Sequence, residues 1–194
     1  MGAGGVLLGI IVVALAGVYL WYAAIIARRN KVNEAMSSVD VHLNQRHDLI
    51  PNIVKLADRF MEHERELLTE VTRLREEARR PTGSSTSEVG KRFEIEGELG
   101  QRIGQLLARM EAYPELKSDR PLIEAQQTWT ETEAQITAAR RFYNAAVNQL
   151  NTAIQIFPGS ILATIAGVEA MPFFDAPAAA RVTPSVDAIL GRRS

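Results

Sequence analysis

Between Val32 and Ala78, apolar side chains recur at steps of four and three residues without a slip in phase. The positions are Val32, Met36, Val39, Leu43, Arg46, Ile50, Ile53, Ala57, Phe60, Glu64, Leu67, Val71, Leu74 and Ala78. Twelve of the fourteen are apolar, and a stripe of that period lies along one face of a helix, whereas a strand would need alternation at every second residue. Pro51 sits inside the stripe. Proline removes one helical hydrogen bond and clashes with the preceding turn, at a cost of about 3 kcal/mol or more. A break would reset the phase, yet Ile50 and Ile53 carry it through. The spacing predicts one kinked, co-directional helix across Pro51, with two separate helices as the alternative.

Pro81-Thr82-Gly83-Ser84-Ser85-Thr86-Ser87 reads as a loop and as the tip of a helical hairpin. A second helix is predicted from about Glu88 to Ala112, with Val89, Phe93, Ile103, Leu107 and Met110 facing inward. Gly97, Gly100, Gly104 and Ala108 line one side of it. Each glycine costs up to ~1 kcal/mol of helix propensity, which predicts close approach of a neighbouring backbone. Tyr113-Pro114 ends this helix, and a connection runs to Arg120.

A third long helix is predicted from Pro121, capped by Asp119, to about Phe157. Two ladders run along it. Trp129, Ile136, Tyr143, Leu150 and Phe157 are large; Ala125, Thr132, Ala139, Ala146 and Ala153 are small. Large residues beside a strip of small ones suit close antiparallel helix packing. Pro158-Gly159 ends the helix, Ser160 caps a short apolar segment over 161–166, and the proline-bearing tail reads as irregular, with Phe173 and Phe174 pinned to the bundle.

The first 27 residues contain no charged side chain. A helix over 6–27 would be about 33 Å long at ~1.5 Å per residue, enough for a hydrocarbon core of about 30 Å. Tyr19, Trp21 and Tyr22 lie toward its far end, where amphipathic rings favour the interface, and Arg28, Arg29 and Lys31 follow. A cleaved signal peptide is the rival reading, since Ala14-Leu15-Ala16 resembles a cleavage site. No basic residue precedes the apolar run, however, and cleavage there would leave an apolar stub. A retained anchor is expected, with a short N-terminus outside and the remainder in the cytoplasm, because the basic cluster follows the span.

The expected fold is all-α: a transmembrane helix followed by an antiparallel bundle of long helices of four-helix-bundle type. Residues 1–5 form the short N-terminus, 6–27 the membrane helix, 28–167 the bundle and 168–194 the tail. The net charge of −1 gives no general attraction for nucleic acid. With no cysteine, thiolate chemistry and cysteine-based metal sites are excluded.

No catalytic constellation stands out, and neither a cofactor nor a metal is expected. His42, His47 and His63 lack a histidine partner at ligand spacing, and Glu62-His63-Glu64 has only half of a helical zinc motif. A metal or enzyme reading would have to use His47, Asp48, His63 and Glu64. Polar residues that interrupt the apolar seams are more informative. Arg46 and Glu64 interrupt the first seam, while Glu133 and Arg140 fall in the last helix. An isolated buried charge is costly, so pairing across helices is expected, with Glu64–Arg140 as one candidate pair. Asn144, Asn148 and Asn151 form a polar stripe beside the aromatic ladder. It serves either hydrogen bonding within the bundle or docking of a partner.

At these residues the chain resembles the LemA family. The resemblance rests on Val39-Asp40-Val41, Arg46-His47-Asp48-Leu49-Ile50-Pro51-Asn52 and His63-Glu64. It continues through Tyr113-Pro114-Glu115-Leu116-Lys117, Thr132-Glu133, Ala139-Arg140, Tyr143-Asn144, Val147, Asn151 and Phe157-Pro158. It covers roughly residues 19–185. Arg120-Pro121-Leu122 and Leu56-Ala57-Asp58 depart from the family's usual pattern. The resemblance implies a single-pass bacterial inner-membrane protein with a small extracellular N-terminus and a cytoplasmic helical bundle, and it implies no enzymatic activity. The leading expectation is a non-catalytic scaffold or adaptor that binds the bilayer through 6–27 and presents the bundle to protein partners. The alternative is an accessory subunit of membrane-associated proteolysis or of envelope stress handling. A homo-oligomer is compatible with the seams but not required by them.

Overall fold

A computed structural model of the protein describes residues 2–81, 83, 85–113 and 119–174. Among them are α1 (Ala3–Asp58), α2 (Arg65–Ala78), α3 (Thr86–Met110), α4 (Arg120–Gln155) and α5 (Gly159–Ala166), and no strand. The fold is all-α, as the periodicity predicts. The expected connection through Pro114 and the tail beyond Phe174 lie outside the described residues.

Helix α1 runs unbroken through Pro51. The missing amide hydrogen deprives the His47 carbonyl, one turn earlier, of its helical donor. Arg75 of α2 replaces it, donating from Nε to that carbonyl at 2.8 Å.

The seam does not continue as a single helix to Ala78. The chain leaves α1 at Arg59, passes through a 3₁₀ turn over Glu62–Glu64 and folds back as α2. Met61, fully buried, plugs this reversal. The phase survives because α2 returns to the same core that α1 faces, so Leu67, Val71, Leu74 and Ala78 are buried as a continuation of Ile50, Ile53 and Ala57.

Ion pairs fix the directions of the helices. Arg79 lies 3.4 Å from Asp48, so α2 runs antiparallel to α1. Arg102 reaches Glu70 at 3.5 Å and Arg109 pairs with Glu64, so α2 and α3 form the expected hairpin around the loop near Pro81. Arg92 meets Asp40 at 2.7 Å and Arg46 meets Glu96, so α3 runs alongside α1 in the same direction. Helix α4 returns along α1, bringing Asn148 and Ile156 beside Gly17 to Arg28. The result is an up-down-up-down bundle.

The helix ends follow local chemistry. Ser85 and Glu88 form a reciprocal capping box at the start of α3. Asp119 accepts from the Leu122 amide at 3.0 Å at the start of α4. Gly167, with φ +61°, ends α5 in the left-handed conformation that favours glycine.

Two apolar cores are stacked along the bundle. The far core joins α1 beyond Ile50, α2, the second half of α3 and the first half of α4, including Trp129. The near core joins Ile25 to Leu43 of α1, Val89 and Phe93 of α3, and Ile136 to Leu150 of α4. The short α2 does not reach it. Its place is taken by α5 and an extended segment, Val168–Phe174, which contributes Ala163, Val168 and Phe174.

Two packing expectations need correction. Phe157 is 75% exposed, because α4 ends at Gln155 and extended backbone at Ile156 turns the ring out of the ladder. Among the described residues, no neighbouring backbone approaches the glycines of α3. Gly97 and Gly104 face open space, and Gly100 faces the Arg46 guanidinium.

Candidate functional site

A charged node separates the two cores. Arg46 is 3% exposed, His47 2% and Glu96 1%. Charged side chains in an apolar interior are stable only when paired and hydrogen-bonded. One Arg46 amino group binds both the Glu96 carboxylate and, at 3.0 Å, the Glu96 backbone carbonyl. The other donates to Glu133 of α4 at 3.2 Å. His47 Nε2 lies 2.9 Å from the second Glu96 oxygen. Gly100 makes room for this arrangement, since a Cβ there would stand 3.1 Å from Arg46 Nη1. Burial on its own pushes the Glu96 carboxyl up, but hydrogen bonding to His47 and the Arg46 charge outweigh it and hold the group below its ordinary value of 4.5. One guanidinium thus ties α1 to α3 and α4.

A second set of polar groups grips the extended segment. The Asn144 side chain donates to the Phe174 carbonyl at 3.0 Å and accepts from the Phe174 amide at 2.8 Å. Asn151 does the same with Met171, at 2.9 and 3.0 Å. The geometry matches: seven helical residues span about 10.5 Å, and three extended residues span about 10 Å. Tyr143 donates to the Pro172 carbonyl at 3.0 Å, Arg140 to the Phe174 carbonyl at 3.4 Å, and the Arg140 guanidinium lies 4.5 Å from the centre of the Phe174 ring. Phe174 stacks on Phe93 at 4.1 Å, and Tyr143 meets the edge of Phe93 at 5.4 Å. Burial pushes the Tyr143 hydroxyl up to about 12.

The polar intruders therefore fall into two separate groups. Arg46 and Glu133 meet in the node, while Arg140, Tyr143, Asn144 and Asn151 meet on the extended segment. The anticipated Glu64–Arg140 pair does not form, because the reversal after Asp58 carries Glu64 to the far tip, where Arg109 pairs with it. His63 is exposed at that tip, and Asp48 is exposed beside Arg79. Pro51 lines an open groove of about 960 Å³ between α1 and α2, with Val54, Leu68 and Thr72. Asn148 lines a second groove, of about 780 Å³, near the apolar end of α1. Phe157 and Pro158 stand at the turn between α4 and α5. Among the described residues, no three His, Asp or Glu side chains group as metal ligands.

Sequence reasoning missed Glu96, Gly100 and Arg75. A signal was present for the first two. Val89, Phe93, Glu96, Gly100, Ile103, Leu107 and Met110 repeat the steps of four and three, so Glu96 interrupts the α3 seam as Arg46 interrupts that of α1.

The family model described as the LemA family matches residues 35–187, from the first bundle turns of α1 past the extended segment. This chain belongs to the LemA family. The LemA-family chain is similar to magnetosome proteins MamQ 1 and MamQ 2 of Paramagnetospirillum magneticum. Each is 24% identical over 185 residues, covering 84% of this chain and 68% of the relative. Magnetosome protein MamQ of Magnetospirillum gryphiswaldense is 24% identical over 174 residues, covering 79% of this chain and 64% of the relative. Among the described residues of the LemA-family chain, one helix near the N-terminus is long and apolar enough to cross a membrane, which supports a membrane location.

Proposed function

We propose that this LemA-family chain is a non-catalytic scaffold, tethered in the bacterial inner membrane with its N-terminus outside and its bundle in the cytoplasm. One observation carries the reading: the principal charged and amide groups between the helices are engaged by one another or by the chain's own backbone, although single atoms such as Arg46 Nε and His47 Nδ1 have no hydrogen-bond partner among the described residues. Arg46 is shared between Glu96 and Glu133, and Asn144 and Asn151 are spent on the chain's own backbone. Such pairing favours a rigid bundle over a reacting centre. Arg28, Arg29 and Lys31 just after the apolar run support the orientation.

The face offered to a protein partner is the groove between α1 and α2. Ile50, Pro51, Val54 and Leu68 give it an apolar floor, and Lys55, Arg65 and Arg73 stand around it. That chemistry suits a helix bearing apolar and acidic side chains. A photo-crosslinking residue at Thr72 in native membranes is expected to capture one reproducible protein. The same residue at Glu131, on an exposed face of α4, is expected to capture none. Equal, non-specific products from both positions would argue against a scaffold acting through this groove. A cysteine introduced at Ser84 tests the orientation: it should resist an impermeant reagent in intact cells, and labelling there would reverse the assignment.

A further inference from the structure

We propose that the protein has a second membrane contact: α5 and the turn before it lie in the headgroup–acyl boundary of the bilayer beside the exit of α1. The patch that would touch lipid is Ile156, Phe157, Ile161 and Ile165, which are 52%, 75%, 55% and 75% exposed. Ile161 and Ile165 are one helical turn apart, so they share a face of α5. The opposite face, Leu162, Ala163 and Ala166, packs into the near core with Ile25 and Ile26 of α1. An apolar outer face this size on so small an element needs a partner.

Position and charge identify that partner as lipid. Side chains of α1 are exposed along the apolar run as far as Ala23, and Ile25 is fully buried, so the helix passes from lipid into the bundle at this level. Here α5 meets α1: Gly159 abuts Trp21, whose Nε1 would stand 2.9 Å from a Cβ at that glycine. The patch is thus continuous with the exposed apolar surface of the span. From Phe142 to Val168 there is no charged side chain, a stretch of 27 residues that matches the charge-free first 27 residues of the chain. The Thr164 hydroxyl on α5 is satisfied within the helix, donating to the Ser160 carbonyl at 3.0 Å, which lowers the cost of placing it in an apolar medium. From Gly159 beside Trp21 to Gly167 beside Arg29, α5 runs along α1 and carries its uncharged apolar face from the level of the span out to the basic cluster, where an apolar face sits in the interface. The groove between α1 and α4, with Leu20, Trp21 and Ile156 in its walls and Arg28 at its rim, opens at the same level. An acyl chain fits those walls, and the arginine meets a phosphate there.

The inference rests on α1 crossing the membrane but not on the scaffold role. The natural absence of cysteine allows site-directed spin labelling of the full chain in vesicles of phosphatidylcholine and phosphatidylglycerol. Single cysteines replace Phe157, Ile165, Val13 within the span, and Arg109 at the far end of the bundle. Labels at 157 and 165 are expected to be more accessible to oxygen than to a water-soluble nickel chelate, as at 13, with the reverse at 109. Chelate access at 157 and 165 equal to that at 109 would place the patch in water. Shielding from both reagents would show that protein, such as a second copy of this chain, covers it. Either result overturns the proposal, as does a label at 13 that reads as aqueous.

Discussion

Replacing Glu96 with leucine tests the account of the charged node. The substitution removes the carboxylate that faces Arg46 and leaves a guanidinium only 3% exposed. Breaking one side of a buried ion pair costs about 3–5 kcal/mol. Glu133 still reaches Arg46 at 3.2 Å, but its side chain is 35% exposed and its contribution is screened by water. The expected loss is therefore near the lower end, about 3 kcal/mol. With a urea slope of about 2 kcal/mol per molar, the unfolding midpoint falls by about 1.5 M. The double variant Arg46→Met, Glu96→Leu exchanges both charges for apolar groups of similar volume. It should return to within about 1 kcal/mol of the parent, since such exchanges are often neutral. The assay is urea unfolding of the full chain in detergent micelles, followed by far-ultraviolet circular dichroism. Acid provides a second arm. The folded value of Glu96 is depressed below 4.5, so its contribution is complete above that value and disappears as the pH falls through the lower, folded value. Glu96→Leu should lack that portion of the acid loss. A single variant as stable as the parent, or a double variant as unstable as the sum of the singles, would refute the reasoning.

Asn144→Ala leaves the Phe174 amide without its side-chain partner and the Phe174 carbonyl with only the longer bond from Arg140, at a cost of about 1–3 kcal/mol. Hydrogen exchange should quicken at Phe174 while α1 and α3 keep their protection. Trp129→Ala opens a cavity in the far core and should cost about 3–5 kcal/mol in the same urea assay. Tyr143 should ionise only near pH 12, later than an ordinary tyrosine. Since its folded value is raised, the stability it contributes is present below about pH 10 and lost as pH climbs toward 12, readable by ultraviolet titration beside circular dichroism.

Most of the fold was legible because helix burial is periodic. Val39, Leu43, Ile50 and Ile53 announce themselves by spacing, and each is buried. The reversal after Asp58 was not legible for the same reason. A chain that folds back onto one core keeps its apolar phase, and no glycine or proline lies between Arg59 and Glu64. Burial of Met61, which carries the turn, depends on tertiary packing. The node was half legible: Arg46 stood out as a charge in an apolar seam, whereas Glu96 was obscured by the glycines around it. The asparagine stripe was visible as a stripe, but its occupant was not. The Met171 and Phe174 backbone groups that it holds carry no side-chain signature, and only the pitch of α4 against an extended chain brings them into line.

Pro51 has a wider effect than the bond it omits. Within a regular helix every interior carbonyl is already engaged, so a neighbouring rod finds few backbone acceptors along its side. By lacking a hydrogen, the proline uncovers one such acceptor at His47, and Arg75 occupies it. Sliding α2 by one turn, about 5.4 Å, would strand both the donor and the acceptor. The residue usually regarded as a helix breaker thus acts here as a notch that sets how far the second rod is pushed along the first.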